Sequence, residues 1–294
     1  MNVFVSLETW DIDDTLMLLF LLHYHEIGKL NLVGIEVDSG TLEQNNFIDF
    51  ILKKVNLSIP AFSRNLKSLE KREVPEYYYE FFEGLERKEL FLTDRSEVFE
   101  FLKNKNFKVI VGGSLNFVRE LVKRGIFPEE VVIQGGFAGK NVTGKSNPKF
   151  GERNFKATFN FNKDFEATLE FLEIQKEVRF PLYLVSKNVN HLITVKLEDI
   201  PQITPKTKAQ ELYLSILRKY LSEVRSEKSL HDVYAALALF DKSLFRWEEV
   251  RPVFRIGRHH PEWGAEKGKT NVFITVEGDK ERIKRLSTFA EEFS

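Results

Sequence analysis

Short apolar runs alternate along the chain with longer segments in which apolar residues recur every three or four positions. The runs are typical of buried strands, and the longer segments are typical of helices. The runs predict strands at residues 3–7, 32–37, 108–111, 131–134, 182–185 and 271–276. The longer segments predict helices at residues 15–27, 42–55, 97–103, 115–123, 164–175, 207–225, 230–240 and 279–292. Strands that alternate with helices in this way imply right-handed crossovers and a parallel sheet.

The predicted elements fill the chain without a linker that would divide it. We therefore expect one domain over residues 1–294, a Rossmann-like α/β fold with an open, mostly parallel sheet flanked by helices. Residues 63–93 are charged and rich in Tyr and Phe, which indicates an insertion or a small helical cap. Residues 135–148 form a polar, Gly-rich loop that is long enough to belong to a site. Residues 251–269 are expected to form a basic loop.

Acidic side chains follow the first two predicted strands. Glu8, Asp11, Asp13 and Asp14 come after the first strand, and Asp38 comes after the second. Ligands of open parallel sheets bind outside the carboxyl ends of the strands, so these acids are expected to meet at one site. Carboxylates that lie together repel unless a cation or protons compensate them, and hard oxygen ligands suit Ca²⁺ or Mg²⁺. Taken singly, Asp13 has an alternative role as the cap of the next helix, where the helix dipole favours acids.

Histidines provide the other candidate chemistry. His231 and Asp232 open a predicted helix, and the alternative is a capping box in which Ser229 is the N-cap and Asp232 lies three residues on. His191 stands alone in the sequence. Residues 259–263 include two more histidines in a polar loop, which either closes over a site or is simply solvated.

Asparagines cluster at residues 154–162, in the sequence NFKATFNFN. An Asn side chain both donates and accepts hydrogen bonds, which suits the vicinal hydroxyls of a sugar. Ordinary turn or cap positions are the alternative for these residues.

The composition narrows the available chemistry. The 43 Lys and Arg residues balance 44 Asp and Glu residues, so no net field attracts nucleic acid or an anionic membrane. The absence of cysteine excludes a thiolate nucleophile, a disulfide and an iron–sulfur cluster. The first residues lack the pattern of a secretion signal, and the apolar stretch at residues 16–22 is shorter than the roughly 20 residues that span a bilayer. We expect a cytoplasmic protein that uses carboxylates, His, hydroxyl groups or an oxygen-bound metal.

Taken in order, these segments resemble the nucleoside hydrolase family, the inosine–uridine-preferring N-ribosidases. That family opens with a strand, the motif D-x-D-P-G-x-D-D and an apolar helix, and this chain has LETWDIDD at residues 7–14 followed by such a helix. Thr158-Phe159-Asn160 falls where the family has E-F-N. Similar segments also occur at residues 41–52 (TLEQNNFIDFIL), 111–121 (VGGSLNFVREL), 131–142 (VVIQGGFAGKNV) and 230–245 (LHDVYAALALFDKSLF).

The resemblance implies a nucleoside hydrolase fold and a Ca²⁺ ion that holds the ribose hydroxyls and the attacking water. Carried over by position, Asp14 and Asp232 would be metal ligands, and His231 would be the acid that helps the base to leave. A His whose ordinary pKa lies near neutrality suits that task. The expected ribose contacts are Asp13, Asn154 and Asn160. Dimers or tetramers are common in the family, which implies a homo-oligomer.

The chain departs from the family at several functional positions. The first two aspartates of the motif become Leu7 and Thr9, and Thr9 stands where the general base belongs. Thr cannot act as a base at neutral pH without an activator. Asp11 and Glu8 are the replacements within reach, and Asp11 is favoured because Glu8 is adjacent to Thr9 in a predicted strand and is expected to face the other way.

Two further departures lie elsewhere in the chain. Thr158 replaces the family's Glu, and Asp38-Ser39 replaces Gly-Asn after the second strand. Asp38 is accordingly an expected extra metal ligand and Ser39 an expected substrate contact.

Three functions are compatible with these residues. The first is hydrolysis of the N-glycosidic bond of a ribonucleoside or related ribosyl compound. The second is a catalytically silent homologue that binds a ribosyl ligand or supports a partner subunit. The third is action on a larger modified nucleoside or nucleotide, with residues 63–93 and 251–269 remodelling the mouth of the pocket.

Overall fold

The computed structural model describes residues 1–67 and 73–293. The strands are β1 (Asn2–Leu7), β2 (Asn31–Val37), β3 (Ala61–Ser63), β4 (Thr93–Asp94), β5 (Lys108–Val111), β6 (Glu130–Gln134), β7 (Leu182–Val185), β8 (Val195–Lys196), β9 (Glu227–Lys228), β10 (Phe245–Ile256), β11 (Pro261–Lys267) and β12 (Val272–Gly278). The helices are α1 (Ile12–Glu26), α2 (Leu42–Val55), α3 (Tyr78–Phe81), α4 (Glu97–Leu102), α5 (Asn116–Lys123), α6 (Lys140–Thr143), α7 (Phe159–Lys163), α8 (Phe165–Val178), α9 (Lys187–Asn190), α10 (Lys208–Glu223), α11 (His231–Phe240) and α12 (Lys280–Ser287).

Within the described residues, ten strands form one sheet in the order β11-β10-β12-β7-β6-β5-β1-β2-β3-β4. Neighbouring strands from β12 to β4 run parallel, and β10 runs antiparallel to both β12 and β11. The expected α/β fold with an open, mostly parallel sheet is therefore confirmed. The chain moves outward from β1 through β2, β3 and β4 and then returns to β5 on the other side of β1. The order of strands thus reverses between β1 and β5, which is where open α/β sheets bind their ligands.

Helices cover both faces of the sheet. On one face α1 packs against α10 and α11, and on the other face α5 packs against α8. Every residue of α1 from Ile12 to Tyr24 is buried, which is typical of a helix that is apolar all round. In the described ranges no helix combines the length and the apolar character that crossing a bilayer requires.

Helix α1 begins at Ile12, three residues earlier than the apolar pattern predicts, because Asp11 caps it. The Asp11 Oδ1 atom accepts a hydrogen bond from the Ile12 N–H at 2.7 Å, and the Asp14 carboxylate accepts one from the Asp11 N–H at 3.3 Å. Asp13 is therefore not the cap. It is free to contribute its carboxylate to the space beside the first strand.

The expectation of a basic loop at residues 251–269 is wrong. Strands β10 and β11 form a long antiparallel hairpin there, paired from Val250 with Lys267 to Ile256 with Pro261. Most side chains of β10 are partly or fully exposed, so the strand lacks the apolar alternation that would reveal it. Trp263 is the buried anchor of β11, and its Nε1–H donates to Asn162 Oδ1 at 2.7 Å. Residues 259–260 lie exposed at the tip of the hairpin.

The segment expected to form an insertion or cap, residues 63–93, connects the parallel strands β3 and β4. Residues 68–72 of this segment lie outside the described residues. Tyr78 is buried, and its hydroxyl donates to the Asp11 carbonyl at 2.9 Å and lies 2.9 Å from Thr15 Oγ1. The segment therefore packs onto the turn that carries the acidic residues. The predicted loop at 135–148 contains the short helix α6.

His23 gives the fold a dependence on pH. The side chain is 0% exposed, its Nδ1 lies 2.9 Å from Thr207 Oγ1, and burial lowers its pKa to about 4. The stability that the neutral ring contributes is fully present above about pH 6.5 and is lost as the pH falls towards 4.

This dependence predicts a difference between the unmodified protein and His23→Leu. Between about pH 7 and pH 5 we expect the unmodified protein to lose about 2 kcal/mol in its free energy of unfolding through this ring, a loss that His23→Leu lacks. Urea unfolding at both pH values measures it, and equal losses in the two proteins would contradict the assignment.

Candidate functional site

A cavity of about 300 Å³ opens at the carboxyl ends of β1, β5 and β6. Glu8 follows β1, Gly112 follows β5 and Gln134 ends β6, and all three line the cavity. The cavity therefore lies at the reversal of strand order, the position that the fold favours for a ligand.

The cavity collects most, but not all, of the residues singled out in the sequence. The residues among them that line it are Glu8, Asp11, Asp13, Asp14, Thr158, Asn160, His191, His231 and Asp232. Asp38, Ser39 and Asn154 are not among the lining residues. Ser39 is buried beside Asp38 with a positive φ of 62°. Asn154 is exposed, and its Oδ1 accepts from the Asn141 N–H at 3.0 Å.

Lys163, the last residue of α7, forms ion pairs with Glu8 and, at 3.1 Å, with Asp38. Asp38 also accepts hydrogen bonds from the Ser114 N–H at 2.8 Å and from its hydroxyl at 3.1 Å. Burial alone would raise the pKa of Asp38, but the Lys163 ammonium and the backbone donors lower it to about 2. Asp38 is thus an ionised partner of Lys163, which is a different role from the expected metal ligand.

Lys228 makes a second pair of contacts with two other acids of the group. Its ammonium lies 2.6 Å from Asp11 Oδ2 and 3.2 Å from Asp13 Oδ1. Burial works against the charged form of Lys228, but the two carboxylates outweigh it and raise the pKa of the lysine. The pKa of Asp11 is raised by burial and by the charge of Asp13, with Lys228 acting in the other direction. Lys228 therefore compensates two carboxylates with one charge.

Asp14 and Asp232 are left without such a partner. Both side chains are buried, and the Oδ1 atom of each has no hydrogen-bond partner. Burial raises the pKa of both carboxyls well above the usual range; the Asp232 charge adds to this at Asp14, and the Asp13 charge adds to it at Asp232. Two unpartnered carboxylate oxygens fit a hard cation such as Ca²⁺ as part of its shell. Over residues 1–67 and 73–293, no three His, Asp or Glu side chains form a group that could hold a metal, so main-chain, water or substrate oxygens would complete the shell.

Two glycines let the acids approach the end of β5. A Cβ atom at Gly112 would lie 3.1 Å from Asp232 Oδ1 and 2.9 Å from the Met17 side chain. A Cβ atom at Gly113 would lie 2.7 Å from Asp38 Oδ2. A larger residue at Gly113 would therefore have to displace the Asp38 carboxylate, and one at Gly112 would press on Met17 and Asp232.

Asn160 is fixed at the inner wall of the cavity. Its Nδ2 lies within hydrogen-bond distance of the Gly112 carbonyl at 3.1 Å, the Gln134 carbonyl at 3.0 Å and Gln134 Oε1 at 2.9 Å. These contacts set the orientation of the amide and leave its Oδ1 as the atom that can accept from a ligand.

Glu8 and Thr9 point in different directions, as the alternation of a strand predicts, but it is Glu8 that lines the cavity. The Thr9 hydroxyl donates to the Glu73 carbonyl at 2.7 Å and accepts from Gln44 Nε2 at 3.3 Å. Burial raises the pKa of Glu8 to about 7 even though Lys163 opposes the shift. Glu8 therefore exchanges its proton close to neutral pH.

His231 begins α11 and lies beside His191, with 4.6 Å between ring centroids. The N-cap of α11 is Leu230, without a side-chain cap bond, so the capping box considered for Ser229 does not form. Burial and the Lys228 charge lower the pKa of His231 to about 3, and burial and His231 lower that of His191 to about 3. Both rings are neutral at neutral pH, whereas the sequence argument assumed an ordinary pKa for His231.

A protein from Aquifex aeolicus (strain VF5), described as an uncharacterized protein, is 57% identical to this chain over 293 residues and covers both chains completely. The chain belongs to the same family as that protein. No family model matches the sequence.

Solved structures of nucleoside hydrolases resemble the chain over nearly its whole length. An inosine-guanosine nucleoside hydrolase matches with a TM-score of 0.72 and 15% identity, covering 100% of this chain and 99% of its own. A plant nucleoside hydrolase matches with a TM-score of 0.66 and 16% identity, covering 98% of this chain and 97% of its own. A purine-preferring ribonucleoside hydrolase from Gardnerella vaginalis matches with a TM-score of 0.64 and 13% identity, covering 98% of this chain and 100% of its own. At these identities the likeness shows the fold: this chain has the nucleoside hydrolase fold.

Lys163, Lys187 and Lys228 are site residues that sequence reasoning missed. Lys163 lies 155 positions after Glu8, and Lys228 lies 217 positions after Asp11, so no local pattern links the partners. Only Lys163 carried a usable signal, because it follows Asn160 by three residues on one helix and so shares a face with it.

Replacing Lys228 tests whether its charge stabilises the fold by compensating Asp11 and Asp13. Lys228→Met leaves Asp11 and Asp13 without their cation, and we expect the free energy of unfolding to fall by about 2 to 3 kcal/mol, since Asp11 is half exposed. Lys53→Met removes an exposed pair with Asp49 and should cost less than about 1 kcal/mol. The double variant Lys228→Met, Asp13→Asn should regain part of the lost free energy of unfolding, because it removes one uncompensated carboxylate. Chemical denaturation measures the free energy of unfolding of all these proteins. A double variant less stable than the single one would contradict the account.

Proposed function

We propose that the protein hydrolyses the N-glycosidic bond of a ribonucleoside or a related ribosyl compound. The observation that carries the proposal is the cavity at the reversal of strand order, where Asp13, Asp14, Asn160 and Asp232 come together. The structural neighbours named as inosine-guanosine and purine-preferring hydrolases support this class of substrate.

Asp13, Asp14 and Asp232 line one part of the cavity, which we call the acidic floor. This floor suits the hydroxyl groups of a ribose. Asp13 is a fixed acceptor because Lys228 holds it, and Asn160 offers its Oδ1. Asp14 and Asp232 would hold a Ca²⁺ ion, which when bound supplies positive charge opposite the ribose hydroxyls. Carboxylates and an amide that contact both hydroxyls would fix the anomeric carbon above the floor.

Glu8 is the base that we propose for the attacking water. It lines the cavity, and its pKa of about 7 places proton uptake near neutral pH, as an efficient general base requires. As the water oxygen bonds to the anomeric carbon, its proton passes to Glu8, the carbon–nitrogen bond breaks and the electron pair leaves with the nucleobase. Asp11, the base favoured by the sequence, instead caps α1 and pairs with Lys228.

Exposed aromatic side chains of the cavity suit the nucleobase. Trp10 and Phe159 line the cavity and are 51% and 61% exposed, so their rings are available to stack on a planar base. His231 also lines the cavity, and a neutral imidazole can donate a hydrogen bond to a base nitrogen as negative charge develops on it.

The lysine contacts favour a second candidate, a protein that binds a ribosyl ligand without cleaving it. Lys163 contacts Glu8 directly, and a carboxylate held in an ion pair is a weaker base than a free one. Turnover therefore requires Glu8 to exchange its lysine contact for the water, and a silent homologue would keep the contact.

Two matched substitutions decide which acid acts. We expect Glu8→Gln to lower kcat by about a hundredfold or more, the usual loss for a general base. Asp11→Asn should lower it by about tenfold or less, because its effect would pass through Lys228 and the helix cap. The measurement is release of free base from a panel of purine and pyrimidine nucleosides, followed by chromatography with and without added Ca²⁺.

Glu26→Gln is the control, because Glu26 is an exposed acid at the end of α1, remote from the cavity. No release from any nucleoside or nucleotide by the unmodified protein would contradict hydrolysis, and stabilisation by a nucleoside without release would favour the binding function. Unchanged activity in Glu8→Gln would remove Glu8 from the mechanism.

Asp232→Asn tests the proposed cation site. This variant should abolish any effect of Ca²⁺ on the melting temperature, because Asp232 is one of the two carboxylates proposed to hold the ion. An effect of Ca²⁺ that persists in the variant would place the cation elsewhere.

A further inference from the structure

Among the described residues, lysines without a carboxylate partner lie at one part of the cavity, which we call the cationic wall: Lys187 lines it, and Lys149 and Lys156 are close enough to act on Lys187. Lys187 lines the cavity and is partly buried, and its ammonium donates to the Ala157 carbonyl at 2.9 Å. Lys149 lies beside it, with its ammonium 3.2 Å from Nδ1 of His191, another lining residue. Within residues 1–67 and 73–293, neither Lys187, Lys149 nor Lys156 forms a salt bridge. Lysines 163 and 228 differ from these three, since each holds two carboxylates.

Two of these lysines act on the third. Burial lowers the pKa of Lys187, and the charges of Lys156 and Lys149 lower it further. Like charges around a partly buried ammonium cost free energy unless an anion compensates them. The cavity therefore combines the acidic floor with Lys187, a cation that faces like charges.

Thr158 gives a second, independent indication of a ligand at the cationic wall. Its side chain lines the cavity and is 3% exposed, and its Oγ1 atom has no hydrogen-bond partner. It follows Ala157, whose carbonyl holds the Lys187 ammonium. A buried hydroxyl without a partner is costly, and a ligand oxygen at this point would satisfy it.

A hydroxyl donor next to the residue that holds the Lys187 ammonium, with two further lysines acting on Lys187, matches a phosphate monoester, which carries close to two negative charges and three acceptor oxygens. The chemistry of ribose limits where that phosphate can be attached. If the acidic floor receives the 2′- and 3′-hydroxyls, as the proposed function requires, and C1′ carries the base, the 5′-oxygen is the hydroxyl position left. We propose that the ribosyl substrate is a nucleoside 5′-monophosphate whose phosphate binds Lys187 Nζ and Thr158 Oγ1.

The experiment compares the affinities of matched pairs of ligands for the purified protein. Adenosine, inosine and uridine are each titrated beside their 5′-monophosphates by calorimetry, with inorganic phosphate as a further ligand. We expect at least one monophosphate to bind about tenfold or more tightly than its nucleoside, and more tightly than inorganic phosphate. Lys187→Met and Thr158→Val should each reduce that ratio. Lys29→Met, which removes an exposed lysine beyond the far end of α1, should leave it unchanged.

The ratio of affinities separates an anion contact from a structural effect. Loss of the Lys187 contact to Ala157 could displace the wall, but that would weaken the nucleoside and the monophosphate together. Equal affinities of the two series in the unmodified protein would overturn the inference, and so would a ratio that survives in both variants. Inorganic phosphate that binds as tightly as the monophosphates would also overturn it, because the ribose would then play no part.

The same titrations distinguish this inference from the proposed function. A preference for monophosphates that Lys187→Met removes supports the phosphate contact even when neither series releases free base, and that absence of release would count against hydrolysis alone. Release of base from nucleosides at the same kcat/KM as from their monophosphates would overturn the phosphate contact and leave hydrolysis supported.

Discussion

Six carboxylates gather where the order of strands reverses, and their negative charge must be compensated by cations or protons. The pairing of each carboxylate with a lysine, or its lack of one, organises the site. Glu8, Asp11, Asp13, Asp14, Asp38 and Asp232 all lie within one small region around the carboxyl ends of β1, β2 and β5. Lys163 and Lys228 compensate four of them, and both lysines keep their charge because the carboxylates outweigh the cost of burial. Asp14 and Asp232 remain with unpartnered oxygens. Of these six acids, Asp14 and Asp232 are therefore the two that the lysines leave for a cation.

The same ion pairs keep the cavity polar although Thr9 and Thr158 stand where the resemblance leads one to expect acids. Thr9, at the position expected for the base, turns away to Glu73 and Gln44 and leaves the cavity to its neighbour Glu8. Thr158 stands where the resemblance has Glu, so the cationic wall loses one negative charge and gains an unpartnered hydroxyl. A cavity with an acidic floor and a cationic wall suits a ligand that carries both hydroxyl groups and an anionic group.

The central parallel strands and the helices beside them could be predicted because their apolar patterns are long and their caps are local. Helix α2 was predicted with the bounds that the structure shows, since Thr41 and Gln44 form a capping box at its start and Asn56 adopts the left-handed conformation at its end. The hairpin of β10 and β11 could not be predicted, because its mostly exposed side chains lack an apolar alternation. At the site, the position of the acids after β1 could be predicted because ligands of open parallel sheets bind at the carboxyl ends of the strands. Their lysine partners could not be predicted, because they are distant in sequence and no local pattern links them to the acids.

The proposed function requires the cavity to bind a ribose with its hydroxyl groups towards the acidic floor. A crystal structure of the Glu8→Gln protein with a nucleoside 5′-monophosphate tests this most directly, because loss of the proposed base should preserve the uncleaved ligand. We expect the ribose hydroxyls to lie within hydrogen-bond distance of Asp13 and Asn160 and the phosphate to lie at Lys187 and Thr158. A ligand bound outside this cavity, or one whose phosphate lies at the acidic floor, would contradict it.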